Sequence, residues 1–277
     1  MFASLKLAFP FLKYIIFAKH RKGHGVHSPF IFDLITNVFN DKKTDDDLAQ
    51  IFYLHHKYKQ SKKALVYTER GAGSQRETKS KLKSRNNQNI QRISTTLGKT
   101  IRNSSVTKKY GGLMYRLVKY FNPENILEIG TSVGISTLYI AGGAPKSNII
   151  TIEGVKEKMQ IAKKLTQEMQ FQNIQFICDD FDLILPEILK QNKPLDFVFF
   201  DGNHTHNATI KYFNACLKKA HNNSVFIFDD IHWSADMKKA WNTIKNHPEI
   251  SVSIDIFQIG IIFFKTEITK RHYVIKF

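Results

Sequence analysis

Apolar and polar residues alternate in blocks along the second half of this chain, and the blocks come in two lengths. Five short apolar runs stand out: 125–128 before Gly130, 148–152 before Glu153, 174–178 before Asp179-Asp180, 197–200 before Asp201, and 225–228 before Asp229-Asp230. Each run is continuous rather than alternating, as expected of parallel strands buried on both faces. Between them lie longer segments with helical patterning, near 134–142, 156–170, 182–191, 205–220 and 234–246. A repeated strand–helix unit predicts an α/β fold with a doubly wound, mostly parallel sheet. Ser251 to Phe264 leaves no room for a helix and reads as two antiparallel strands around Gln258-Ile259-Gly260. The expected sheet therefore has seven strands and ends in an antiparallel hairpin.

The first part of the chain has another texture. Leu12, Ile15 and Ile16, and then Phe30, Ile31, Leu34, Ile35 and Val38, recur near the 3.6-residue period of a helix. Ser28-Pro29 reads as a helix start, with Ser as cap and Pro in the first turn. Residues 61–109 are polar and basic, with 13 basic against 2 acidic residues. They read as a linker or lid, with Gly71–Arg76 as loop and Lys79–Arg92 ordered only when something binds. The chain thus divides by texture into a helical, basic N-terminal extension, 1–106, and an α/β domain, 107–277.

Charge sharpens this division. The chain carries +17, of which residues 1–110 hold +15 and residues 111–277 only +2. A local basic field attracts anions, so nucleic acid and a membrane surface are both open as partners of the extension. A solvated surface is the bland reading of the same charge. The segment from Met1 to Lys19 is rich in Phe, Leu and Ile but is broken by Lys6, Pro10 and Lys13. It is too interrupted to span a bilayer and reads as an amphipathic helix packed on the protein body. No cleavage site of small residues follows it. Cys178 and Cys216 both fall in apolar runs without metal-ligand spacing, which predicts buried free thiols in a reduced, cytoplasmic protein. The oligomeric state is open, a homodimer included.

The chemistry gathers at the carboxyl ends of the expected strands, where open parallel sheets bind their ligands. The first loop, Glu128-Ile-Gly-Thr-Ser-Val-Gly134, has glycines four apart. A dinucleotide fingerprint needs a glycine at position 132, where this chain has Ser. That fingerprint cradles a pyrophosphate and does not want Glu128 beside it. S-adenosylmethionine has no phosphate and carries a cationic amino group and a sulfonium, so a carboxylate beside a glycine turn suits it. Gly130, Thr131, Ser132, Gly134 and Ser136 form the expected cradle. Glu153 is placed to accept the ribose hydroxyls, and Asp180 and Phe181 to flank the adenine.

Leu127-Glu-Ile-Gly-Thr-Ser-Val-Gly-Ile-Ser-Thr137, together with Ile152-Glu153 and Asp196-Phe-Val-Phe-Phe-Asp-Gly-Asn-His204, resembles the Rossmann-fold S-adenosylmethionine-dependent methyltransferases. The similarity is to the O-methyltransferase-like group and covers roughly 107–265. It implies methylation of a small-molecule hydroxyl, with S-adenosylmethionine as donor. It also implies that Asp201, Asp229 and Asp230 lie on neighbouring strand ends, where three carboxylates could hold Mg²⁺ or another hard divalent cation. His204, three residues after Asp201, is a candidate general base beside it. His206, His232 and Trp233 are weaker candidates for substrate contact. His24 and His27 sit in the turn-rich stretch Gly23–Phe30, in an extension similar to that of some bacterial methyltransferases, where a substrate cover is expected. Two alternatives to a small acceptor stay open: RNA or protein methylated through the basic region, and a binding protein that turns nothing over.

Overall fold

A computed structural model describes residues 2–19, 22–70, 79–81, 90–191 and 193–277. Along the chain run α1 (Phe2–Phe17), α2 (Pro29–Leu34), a π-helical turn (Ile35–Phe39), α3 (Asp46–Lys59), β1 (Ala64–Arg70), β2 (Lys79–Lys81), β3 (Ile90–Thr96), α4 (Leu97–Ser104) and α5 (Lys108–Phe121). There follow β4 (Asn125–Ile129), α6 (Ile135–Gly143), β5 (Asn148–Glu153), α7 (Lys156–Glu168), β6 (Ile174–Cys178), α8 (Phe181–Leu189), β7 (Phe197–Phe200) and α9 (His206–Leu217). The chain closes with β8 (Val225–Phe228), α10 (Ala235–Lys245), β9 (Val252–Asp255), β10 (Gly260–Phe263) and β11 (Arg271–Val274). The main sheet has the order β11-β9-β10-β8-β7-β4-β5-β6, and the other sheet has the order β1-β3-β2. The doubly wound, mostly parallel α/β reading holds. The sheet has eight strands rather than seven, because β11 adds to β9 in parallel. Arg271 and His272 are exposed and only Tyr273 is buried, so it lacks the continuous apolar run that marks the other strands.

The residues fall into two compact units, Met1–Lys42 with Asn125–Leu127 and Leu185–Phe277, and Lys43–Glu124 with Glu128–Ile184. In the first unit, β7 and β8 pair in parallel and every residue of both is buried. The rings of Phe200 and Phe228 stack with centroids 4.4 Å apart. Thr205 and Ser234 cap α9 and α10 by accepting the backbone N–H of Ala208 and Met237. Such caps satisfy donors that the first helical turn leaves open. The expected hairpin is present, with β10 antiparallel to both β9 and β8. Ser28 caps α2 and Pro29 occupies its first turn, as the sequence suggests. Helix α1 packs through Tyr14, whose hydroxyl donates to the carbonyl of Ile275 at 2.6 Å.

In the second unit, β5 and β6 pair in parallel. The described parts of the stretch 61–109 include three strands and the helix α4. Alternate residues Leu65 and Tyr67 of β1, Ile93 of β3, and Leu97 and Ile101 of α4 are buried. Strand β1 pairs antiparallel with β3 over its full length. In β1 the buried Leu65 and Tyr67 alternate with the exposed Val66 and Thr68, a period of two that is too short to stand out in the sequence. The Lys158 ammonium lies 4.3 Å from the ring centroid of Tyr67, which ties β1 to α7. The expected loop Gly71–Arg76 lies outside the described residues, as does the stretch between β2 and β3. Cys216 is buried as expected, but Cys178 is exposed, because β6 is an edge strand with partly open faces.

A buried pair in this unit gives the fold a pH signature. His55 Nδ1 lies 2.8 Å from the hydroxyl of Tyr139, and both side chains are buried. Burial pushes the imidazole down to about 4, helped by the charges of Lys59, Lys108 and His56. The unfolded chain takes up this proton below its ordinary pKa near 6.5, whereas the folded chain resists until about 4. The contribution is therefore full above pH 6.5 and is lost as pH falls towards 4, by up to about 3 kcal/mol. Urea unfolding between these pH values should show that slope, and His55→Gln should flatten it. Equal slopes in the two proteins would contradict this assignment.

Candidate active site

The loop after β4 is built around two carboxylates. Glu128, near the end of β4, is fully buried. Its Oε2 accepts hydrogen bonds from the hydroxyls of Thr137 and Thr151, both at 2.6 Å. Thr137 stands in the first turns of α6 and Thr151 in β5, so one carboxylate oxygen ties three elements together. Glu153 ends β5. Its Oε2 accepts the backbone N–H of Ser132 at 2.7 Å and its Oε1 accepts that of Val155 at 2.9 Å. The backbone N–H groups of Gly130 and Thr131 both reach the carbonyl of Ile152 at 3.0 Å. Together these bonds hold the loop against the end of β5.

The loop's backbone explains its glycines. Gly130 has φ +106° and Gly134 has φ +86°, a region that costs L-residues energy. A Cβ on Gly134 would also stand 2.7 Å from the Cβ of Ala162 in α7. Ser132 sits between them at φ +47°, and its buried hydroxyl oxygen has no hydrogen-bond partner. A buried polar atom without a partner is costly, so the loop has a use for a ligand that supplies one. Ser136 is buried in α6. Asp180 is exposed and its Oδ1 accepts the N–H of Asp182, which makes it a cap of α8, the helix that Phe181 opens. The structure thus gathers Gly130, Thr131, Ser132, Gly134 and Glu153 into one cradle beneath which Glu128 is an anchor. Thr151 was not among the expected site residues. The signal for it was a hydroxyl in the otherwise apolar run 149–152, two residues before Glu153.

The first unit holds a separate acidic cluster. Asp201 follows β7 and Asp229-Asp230 follow β8. Asp229 is buried, and the side chain of Asp201 is only 13% exposed. Burial pushes the Asp229 carboxyl well above the usual carboxylate range, and the charges on Asp230 and Asp201 push the same way. Asp201 is also raised by burial, while the adjacent His204 draws it back. Like charges in a dry site disfavour one another, which favours the neutral form of a carboxyl there. His204 Nε2 lies 3.4 Å from Asp201 Oδ1. Gln258, in the β9–β10 turn, donates to Asp229 Oδ1 at 3.3 Å, a contact that spacing along the chain did not reveal. Asp230 adopts φ +54°.

The donor set therefore departs from the expected cation cage. Among the described residues, no three His, Cys, Asp or Glu side chains gather around a point that could hold a metal ion. His232 Nε2 is taken by Asp255 Oδ2 at 2.7 Å and its ring stacks on Phe257. The His206 Nδ1 lies 3.1 Å from the Asn207 side-chain oxygen. His24 is exposed, as is His27.

Comparison with known proteins agrees with this architecture. Residues 127–231 match a family described as a methyltransferase domain. A catechol O-methyltransferase from Niastella koreensis is 27% identical over 135 residues, which is 46% of this chain and 58% of that protein. The chain thus spans well under two thirds of that relative. The O-methyltransferase TomG from Streptomyces achromogenes, involved in tomaymycin synthesis and solved in complex with S-adenosylmethionine, superposes with a TM-score of 0.55 at 16% identity, covering 84% of this chain and 94% of that one. The O-methyltransferase from Bacillus cereus in complex with S-adenosylhomocysteine gives a TM-score of 0.52 at 17% identity, covering 84% and 96%. At these identities the structural likeness establishes the fold.

Proposed function

We infer that this Rossmann-fold methyltransferase transfers a methyl group from S-adenosylmethionine to a hydroxyl of a small molecule. The observation that carries the reading is the loop 128–134, closed by two glycines at positive φ and held by the Glu153 carboxylate through the Ser132 N–H. Its only fully buried acid, Glu128, would repel a pyrophosphate. The solved relatives that share the fold hold S-adenosylmethionine or its product in their crystals.

In this reading Gly130 to Gly134 present backbone to the methyl donor, and the Glu153 carboxylate accepts its ribose hydroxyls. When bound, the donor supplies an electrophilic sulfonium methyl. His204 takes the proton from the acceptor hydroxyl, and Asp201 orients its imidazole and stabilises the cation that forms. Anion and cation then combine, so holding the oxygen in line and excluding water carry much of the rate. An all-oxygen set suits a hard divalent cation chemically, but among the described residues no group of three His, Cys, Asp or Glu side chains is arranged to hold one. Methylation of RNA through the basic region is less favoured, because Tyr67 is buried and unavailable for stacking on a base.

Calorimetry with S-adenosylhomocysteine tests the donor assignment, with micromolar binding expected and its absence in ligand-free protein sinking it. A panel of catechol, phenol and sugar acceptors, run with and without EDTA, then tests the acceptor class. Turnover of a small hydroxyl that His204→Ala lowers by roughly a hundredfold is expected. Full activity in that variant would remove His204 from the mechanism.

A further inference from the structure

Helix α1 has two apolar sides, and only one of them is used. On the inner side, the Phe11 and Tyr14 rings pack against Phe257, with centroids 4.9 and 5.3 Å away. Tyr14 is buried there and anchors to the last residues of the chain, accepting the N–H of Phe277 while donating to Ile275. On the other side, Leu12, Ile16 and Phe17 are 57%, 67% and 67% exposed. Leu12 and Ile16 lie one turn apart. An outward apolar stripe of this kind on a helix that is already docked calls for a partner.

The charge around the stripe says which partner. Residues 1–32 contain five Lys and Arg and no Asp or Glu. Lys13 stands exposed on α1 itself. The C-terminal end of the helix is joined by the chain end, where the N–H of Lys276 donates to the carbonyl of Lys19. Exposed Lys22 and Lys276 therefore flank the same end. Two copies of so basic a segment would repel one another, whereas an anionic bilayer matches both its charge and its apolar stripe. Among the described residues no helix is long and apolar enough to cross a membrane, so the helix lies on the surface.

We propose that α1 docks this protein on the surface of anionic phospholipid membranes, inserting Leu12, Ile16 and Phe17 among the acyl chains while the surrounding lysines meet lipid phosphates. The inner face keeps the protein attached to its own anchor. Phe257, held by Phe11 and Tyr14, is itself at φ +74°, strained for a bulky residue, and precedes the Gln258 that donates to Asp229. The docked helix and the acidic cluster are thus joined through one short turn of the first unit.

The test is flotation of the full-length chain with vesicles of equal parts phosphatidylcholine and phosphatidylglycerol, against vesicles of phosphatidylcholine alone. Binding to the anionic vesicles alone is expected, weakening as salt is raised. Leu12→Asp with Ile16→Asp should abolish it, and Lys13→Glu with Lys276→Glu should weaken it by roughly tenfold or more. The second pair is exposed and keeps the apolar stripe, so it decides the matter if the first pair disturbs folding. Wild-type protein that stays with the buffer overturns the proposal, as does binding unaffected by both pairs. A dimer in sedimentation that the first pair splits, without vesicle binding by the wild type, would assign the stripe to a second copy instead and equally overturn it.

Discussion

Glu153→Ala is expected to weaken S-adenosylhomocysteine binding by about a hundredfold or more, the largest effect of any single side chain in the cradle. The carboxylate holds the loop through two backbone N–H groups, on Ser132 at 2.7 Å and on Val155 at 2.9 Å. Hydrogen bonds to a charged group contribute roughly 1.5–3 kcal/mol each, and a hundredfold in affinity is about 2.7 kcal/mol. Losing the ribose acceptor adds to losing the loop's anchor. Glu153→Gln keeps the shape and one acceptor oxygen, so it should fall between, near tenfold. Calorimetry on both variants, with circular dichroism to check folding, measures the order. An unchanged affinity in Glu153→Ala would show that neither role exists.

Gly134→Ala should lower the melting temperature by roughly 5–15 °C and remove cofactor binding. Two costs combine. A left-handed backbone costs an L-residue about 1–2 kcal/mol. The added methyl meets the Cβ of Ala162 at 2.7 Å and its Cα at 2.8 Å, and overpacking of this kind costs about 1–3 kcal/mol. Neither neighbour is a flexible chain end, so α7 itself must move. For a chain of this size each kcal/mol is about 2–4 °C. Thermal unfolding of the variant beside the wild type is the measurement, and a shift under about 1 °C would show that the contact relaxes freely. Ala162→Gly should recover part of the packing loss but none of the backbone cost, which separates the two contributions.

Much of the fold was legible because its signals are local. The five continuous apolar runs became β4, β5, β6, β7 and β8, and the hairpin around Gln258-Ile259-Gly260 became β9 and β10. Helix starts at Ser28, Thr205 and Ser234 follow from side chains that reach donors three residues on. The loop 128–134 was readable for a similar reason. A glycine at positive φ and a neighbouring carboxylate leave a mark within a few residues. The roles within the loop were less readable. Glu128 is a buried anchor for Thr137 and Thr151, because β5 brings a hydroxyl to it from 23 residues away. Strands β1 and β3 were missed for a different reason: each has too few large apolar residues to display a period of two, and their pairing partners stand far apart in the chain.

What the sequence by itself determined is therefore the alternation of strand and helix, the carboxyl-end loops and the identity of the residues in them. These depend on backbone preferences and periodicity, which act over one or two turns. What only the tertiary structure decided is which strand lies at an edge, and hence that Cys178 is exposed while Cys216 is buried. It also decided that burial holds the Asp229 carboxyl well above the usual carboxylate range and that Gln258 donates to it. Burial sets the energy of a charge, and burial is the sum of neighbours from distant parts of the chain. The apolar stripe on α1 belongs to both. Its spacing is written in the sequence, but only packing shows that Tyr14 faces inward while Leu12 and Ile16 face out.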